Sequence, residues 1–214
     1  QRVIKFSQGL IDNKVNINWA ASAHPLGLKK LADGLGIARR SGLKRLLIGA
    51  ESGSQAALDY INKGCTTKDI MDAAELCARH DISSAFTFIV GMPGIFDDVD
   101  ATLEMALKMK KLNGNFEINI HFYAPLPGTP LYEEAKNLGY APPISLLEWS
   151  RYNYYAIQIP WLDKKVERDV RLFGDFYVDF LFPPTWFLVD LESRPLARAA
   201  YRVLRNLVQL RCKV

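Results

Sequence analysis

The 214-residue chain contains no unbroken apolar run of about 18 residues, the length a helix needs to cross a bilayer. Its greasiest stretch, from Phe180 to Val189, is interrupted by Pro183 and Pro184. Cysteine is scarce. Cys65, Cys77 and Cys212 are odd in number and far apart, and no two stand two or three residues from each other. That argues against a disulfide framework and a local metal-binding loop, and it fits a reducing, cytoplasmic compartment. Low-complexity segments are missing too. The net charge of +4 is small, and with no supporting motif a nucleic-acid partner is not expected.

What the chain does have is alternation. Val15 to Ala20 places Val15, Ile17 and Trp19 against Asn16 and Asn18, a period of two that predicts a strand. A helical pattern follows with Leu28, Leu31, Leu35 and Ala38 on one face, ended by Gly42. Leu46 to Ala50 reads as a short strand, and a helix carrying Ala57, Leu58 and Ile61 stops at Gly64. Thr66 with Asp69 three residues on forms a capping-box variant, opening a helix whose apolar face is Ile70, Ala73, Ala74 and Cys77. Ala85 to Val90 is a buried strand, and Val99, Leu103, Ala106 and Leu107 mark the next helix. Phe116 to Tyr123 alternates again: Phe116, Ile118, Ile120 and Phe122 on one face, Glu117, Asn119, His121 and Tyr123 on the other.

Strands alternating with helices predict repeated βαβ units and a parallel sheet. The polar faces of the first and last strands favour a barrel, with apolar faces turned outward onto helices and polar faces lining the interior; an edge strand with one wet face is the alternative. Asn16, Asn18, Glu117, Asn119 and His121 are then the expected interior set, with Glu117 and His121 as candidate catalytic groups facing a small-molecule substrate. Four strands are too few to close a barrel, and the chain opens on Gln1, so further strands upstream are expected.

In parallel α/β folds, ligands gather where strands end. The second strand ends in Glu51-Ser52-Gly53-Ser54, a carboxylate beside small hydroxyls; the bland reading is a turn with a helix cap. The third ends in Gly91-Met92-Pro93-Gly94, whose glycines permit a tight turn or close approach of backbone to a ligand. The fourth runs into Tyr123-Ala124-Pro125, with Pro127 and Pro130 stiffening the loop.

Together and in this order, these segments over Val15 to Leu138 resemble the later strands of the radical S-adenosylmethionine (radical SAM) core, in the branch that includes cobalamin-dependent enzymes and methylthiotransferases. The resemblance implies a six-stranded partial (β/α) barrel whose later half is present here. It implies S-adenosylmethionine contacts at Glu51 and Ser52 (ribose or methionine), Ile89 and Gly91 (beside adenine) and Tyr123, Ala124 and Pro125 (the adenine edge). It further implies a 4Fe-4S cluster with ligands outside this chain, cobalamin as a possible second cofactor, and an electron donor such as flavodoxin or ferredoxin. Two departures stand out. Ile95 and Phe96 replace the usual acid and threonine after the glycine turn, and the segment after the first strand, Ala23-His24-Pro25, lacks the usual arginine. With no three-cysteine loop, the chain alone is not expected to catalyse the family reaction. The competing readings are a non-catalytic partial barrel serving as a binding module and a phosphate-binding barrel, the latter disfavoured because no base flanks its glycine turns.

Pro142-Pro143 separates residues 1–140, the barrel part, from a helical, aromatic- and Arg-rich extension over 141–214. Six bases (Arg194, Arg198, Arg202, Arg205, Arg211 and Lys213) stand against one acid from Glu192 to Val214. Leu196, Ala200, Val203, Leu204 and Leu207 form the opposing face of a helix expected to pack on its own domain; peripheral contact with an anionic membrane is the alternative.

Overall fold

The computed structural model describes residues 2–95, 98–152, 157, 159–174, 178–183 and 195–212. Helix α1 (Arg2–Asp12) precedes strand β1 (Trp19–Ala23), α2 (Pro25–Leu31), a 3-10 turn and α3 (Leu35–Arg40). Then come β2 (Leu43–Glu51), α4 (Gln55–Tyr60), α5 (Thr67–Arg79), β3 (Ser83–Val90), α6 (Asp98–Leu112) and β4 (Glu117–Phe122). Helix α7 (Pro130–Asn137) follows, and the extension adds α8 (Leu146–Ser150), α9 (Lys164–Leu172), α10 (Val178–Leu181) and α11 (Pro195–Cys212). No described helix is long and apolar enough to cross a membrane.

The four strands form one sheet in the order β1-β2-β3-β4, every pair parallel. Register assigns the two faces. Leu46, Ile48, Phe86, Phe88 and Ile118 point to one side and are buried beneath α2, α3, α5 and α6. Ser22, Leu47, Thr87, Ile89, Asn119 and His121 point to the other, where Leu47 is 43% exposed. Helices cover one face and leave the other polar and accessible, as in a partial (β/α) barrel: outer face packed, inner face lining the interior. Arg45 and Glu117 form an ion pair across the intervening β3 on this inner face.

Two sequence expectations are corrected. Strand β1 begins at Trp19, not Val15. Lys14 has φ 54, Val15 N–H donates to Leu10 O (2.9 Å) and Lys14 N–H to Ile11 O (3.0 Å), the paired bonds of a Schellman closure of α1. Val15 is therefore spent on ending a helix, and Asn16 and Asn18 lie exposed outside the sheet instead of lining its interior. The apolar face of α11 is also not covered by its own domain among the described residues. Leu196 is 88% exposed and Val203, Leu204 and Leu207 are exposed, while Tyr201 anchors the helix by donating to Phe180 O (2.8 Å).

The capping box is as read. Thr66 Oγ1 accepts from Asp69 N–H (3.1 Å), and the Asp69 carboxylate accepts from Thr66 N–H (2.9 Å), Thr66 Oγ1 (2.7 Å) and Lys29 Nζ (2.8 Å). This one carboxylate starts α5 and ties it to α2. The Lys29 ammonium first, then the Thr66 backbone and hydroxyl, hold its carboxyl well below the usual aspartate range. A lowered folded-state value means stability that is fully present above the unfolded value, near 4, and lost as pH falls from there through the lower folded one. Acid unfolding followed by circular dichroism should therefore be flatter below about pH 4 for Asp69→Asn than for wild type; superimposable profiles would remove Asp69 from the acid response.

Candidate cofactor-binding site at the strand ends

Glu51, Gly91 and Tyr123 stand at the carboxyl ends of β2, β3 and β4. Glu51 is in register with Phe88, Val90 with Phe122, and Tyr123 N–H donates to Val90 O (2.9 Å), so the three share one edge of the sheet.

The backbone at Glu51 is unusual. The pairing of β2 with β3 slips between Gly49 and Glu51, and Glu51 takes φ 64. Ser52 N–H closes back onto Ala50 O (2.9 Å), a three-residue turn with a left-handed, non-glycine centre. Such a conformation costs about 1–3 kcal/mol and persists only where the surroundings hold it. Those surroundings are identifiable. Ser52 is fully buried; its hydroxyl accepts from Ser54 N–H (3.1 Å) and meets Thr102 Oγ1 (3.2 Å). Gly53 N–H donates to the same Thr102 oxygen (2.9 Å). The side chain of Ser52 thus faces α6, and Ser54 caps α4 by accepting from Ala57 N–H.

The Glu51 carboxylate folds back over Gly49, where any side chain would collide with it, and its Oε1 accepts from Lys63 Nζ (2.7 Å). Both side chains are mostly buried, 20% and 16% exposed. Lys63 is held in turn by its backbone. Asn62 has φ 52, Lys63 N–H donates to Leu58 O (2.9 Å) and Asn62 N–H to Asp59 O (3.0 Å), a Schellman closure of α4. His24 fixes the carbonyl: its Nδ1 accepts from Leu26 N–H (3.3 Å), which leaves the proton on Nε2 to donate to Lys63 O (3.1 Å). The end of β1 is tethered in this way to the end of α4.

At β3, Gly91 is buried with φ 71. Its carbonyl accepts from Trp161 Nε1 (3.0 Å), and Ile159 and Leu162 lie 3.5 Å from where its Cβ would be. The close approach that Gly91 permits is to the chain's own segment around residue 160. Ile89 is half-buried on the inner face, in register with His121. At β4, Tyr123 and Ala124 are half-buried and Pro125 is buried, its carbonyl accepting from Tyr152 Oη (2.8 Å). Tyr60, at the end of α4, donates to Glu134 on α7 beside Gly94; burial first, then Glu134, push its hydroxyl up to about 12. Of the catalytic candidates, Glu117 is exposed and paired with Arg45 and Asn119, while His121 is partly exposed on the inner face.

An iron–sulfur cluster does not fit the described residues. Cys65 and Cys77 are buried, and burial pushes both thiols up, away from the thiolate a metal needs. No group of three or more metal-ligating side chains occurs among the described residues. At the strand ends, Glu51 has one oxygen fixed by Lys63 and, among the described residues, no hydrogen bond on the other, so it can accept from a hydroxyl or ammonium donor.

A parallel sheet with helices on one side and a polar inner face defines the architecture as a partial (β/α) barrel. Comparison with known proteins adds a family likeness: residues 15–106 match the model of the Radical SAM superfamily. Over 156 residues the chain is 26% identical to the anaerobic magnesium-protoporphyrin IX monomethyl ester cyclase of Cereibacter sphaeroides, covering 72% of this chain and 24% of that protein. It is 26% identical over 195 residues to an uncharacterized methyltransferase of Pyrococcus horikoshii, covering 89% and 40%. The chain therefore spans between a quarter and two-fifths of these relatives. The apo structure of the cobalamin-dependent S-adenosylmethionine radical enzyme OxsB superposes with a TM-score of 0.54 at 14% identity, covering 100% of this chain and 36% of that one, a likeness of fold.

Proposed function

We propose that this chain forms the later strands of a radical SAM barrel and binds S-adenosylmethionine at the edge defined by Glu51, Gly91 and Tyr123. Ligands for the 4Fe-4S cluster come from outside these 214 residues. In the superfamily, reductive cleavage of the bound cofactor starts radical chemistry. The part derived for this chain is to hold and orient the nucleoside end and to present the inner face, with Asn119 and His121, to a substrate. Cobalamin is named for OxsB, and no residue here is assigned to it.

The observation that carries this reading is the strained turn at Glu51, which keeps one carboxylate oxygen open at a strand end. Hydrogen bonds from ligand hydroxyls or ammonium to a charged acceptor contribute about 1.5–3 kcal/mol. Glu51→Gln keeps the shape and removes the charge, so calorimetry should show S-adenosylmethionine binding weakened about tenfold to a hundredfold, with the melting temperature little changed. Unchanged affinity together with a sharp drop in melting temperature would make Glu51 a turn residue only. Failure of the wild-type chain to bind the cofactor at all would favour the non-catalytic module.

A further inference from the structure

We propose that Lys63 is a positioning residue for Glu51: it fixes one carboxylate oxygen so that the other meets the ligand in a single orientation. The inference rests on the cofactor reading above and extends it to a residue twelve positions away on another element.

Three observations converge on this pair. First, the Glu51 side chain grows from a left-handed backbone and its carboxylate lies back over Gly49, which brings it to Lys63. Second, Lys63 Nζ donates to Oε1 at 2.7 Å with both side chains largely withdrawn from water, where an ion pair is screened less than on the surface. Third, Lys63 is itself pinned at both backbone groups: its N–H by Leu58 in the closure of α4, its carbonyl by His24 Nε2. Several exposed lysines pair with neighbours three or four residues along one helix, as Lys68 does with Asp72. Lys63 instead spans from the end of α4 to the end of β2.

A carboxylate held this way is a directional acceptor. With Oε1 committed, the ligand donor, whether a vicinal diol or an ammonium, is confined to Oε2. Without Lys63 both oxygens compete for the donor and the side chain gains rotamers that binding must then freeze.

The test is a double-mutant cycle on the full-length protein as encoded, read by calorimetry with S-adenosylmethionine and with 5′-deoxyadenosine, alongside thermal unfolding. Lys63→Met should weaken S-adenosylmethionine binding about tenfold, the scale of one charge-assisted contact. Lys63→Arg, which restores a cation of similar reach, should recover binding to within about threefold of wild type. In the Glu51→Gln background, Lys63→Met should add less than about twofold, because its effect passes through Glu51. Weakening of 5′-deoxyadenosine by the same factor places the contact on the ribose; weakening of S-adenosylmethionine alone places it on the amino-acid end. Both outcomes support the positioning role. An unchanged affinity in Lys63→Met overturns it, and so does the same loss in both backgrounds, since Lys63 would then act on the ligand or the fold directly. Absence of binding by the wild type would sink the cofactor reading and this inference with it, an outcome distinct from normal binding that ignores Lys63.

Discussion

Gly53→Ala is expected to cost about 3 kcal/mol of unfolding free energy, the upper end of ordinary overpacking. The reason is what a methyl group would meet. An added Cβ would strike the Ala101 carbonyl, coming within 2.6 Å of its carbon and 2.7 Å of Thr102 Cα. These are backbone atoms in the body of α6, and a helix has no rotamer with which to step aside. Pushing α6 away would also stretch the Gly53 N–H bond to Thr102 Oγ1 and the contact between Ser52 and Thr102. Those contacts brace the strained turn that presents Glu51. Equilibrium urea unfolding reads the effect, with Gly27→Ala as comparison, since nothing lies within 4 Å of that Cβ position in α2. A loss below about 0.5 kcal/mol at Gly53, the size of an ordinary surface change, would mean that α6 is not seated against the turn as described.

Phe86→Ala should destabilise by about 3–5 kcal/mol, the range for deleting a buried aromatic ring. Phe86 is fully buried at the centre of the outer face, between Ile48 on β2 and Ile118 on β4 in the register. Its ring meets Phe116 edge to face, with centroids 5.1 Å apart and planes at 65°. The cavity would open between sheet and helices and cannot collapse without moving a strand held on both sides. Urea unfolding of Phe86→Ala against Phe86→Leu separates volume from shape. A loss under about 1 kcal/mol for alanine would contradict the close packing of this layer.

The parts of the fold that could be read from sequence are those whose physics is local. The face of α5, Ile70, Ala73, Ala74 and Cys77, repeats at helical spacing and is wholly buried. The alternation in β4 puts Phe116, Ile118 and Phe122 in the core and leaves Glu117 exposed. The start of β1 was illegible because a lysine, not a glycine, takes the left-handed position that closes α1. Its alternation of Val15 and Ile17 with asparagines imitates a strand. At the site, the strand ends were legible and their partners were not. Nothing local in the sequence brings Trp161 to Gly91, Tyr152 to Pro125 or Tyr60 to Glu134, contacts that join residues far apart in the chain. The φ of Glu51 was equally hidden, since a glutamate followed by Ser-Gly-Ser reads as an ordinary cap. The Lys63 signal was present in part: Asn-Lys-Gly after a short helix marks a left-handed closure, and such a closure fixes the direction of the residue after it.

The consecutive strand order bears on how the chain acquires its structure. Partners across each ladder are separated by about 25–40 residues, so each closure is a medium-range event, and the sheet needs no strand to wait for a distant one. A chain emerging from the ribosome would present β1, then β2 with its template already made, then β3, then β4. Each added strand brings its own covering helix, so apolar surface is sheltered unit by unit as synthesis proceeds. The Glu51 turn forms at the end of the second strand but is braced by α6, which follows the third. The ligand edge is therefore completed one unit later than the strand that carries its carboxylate.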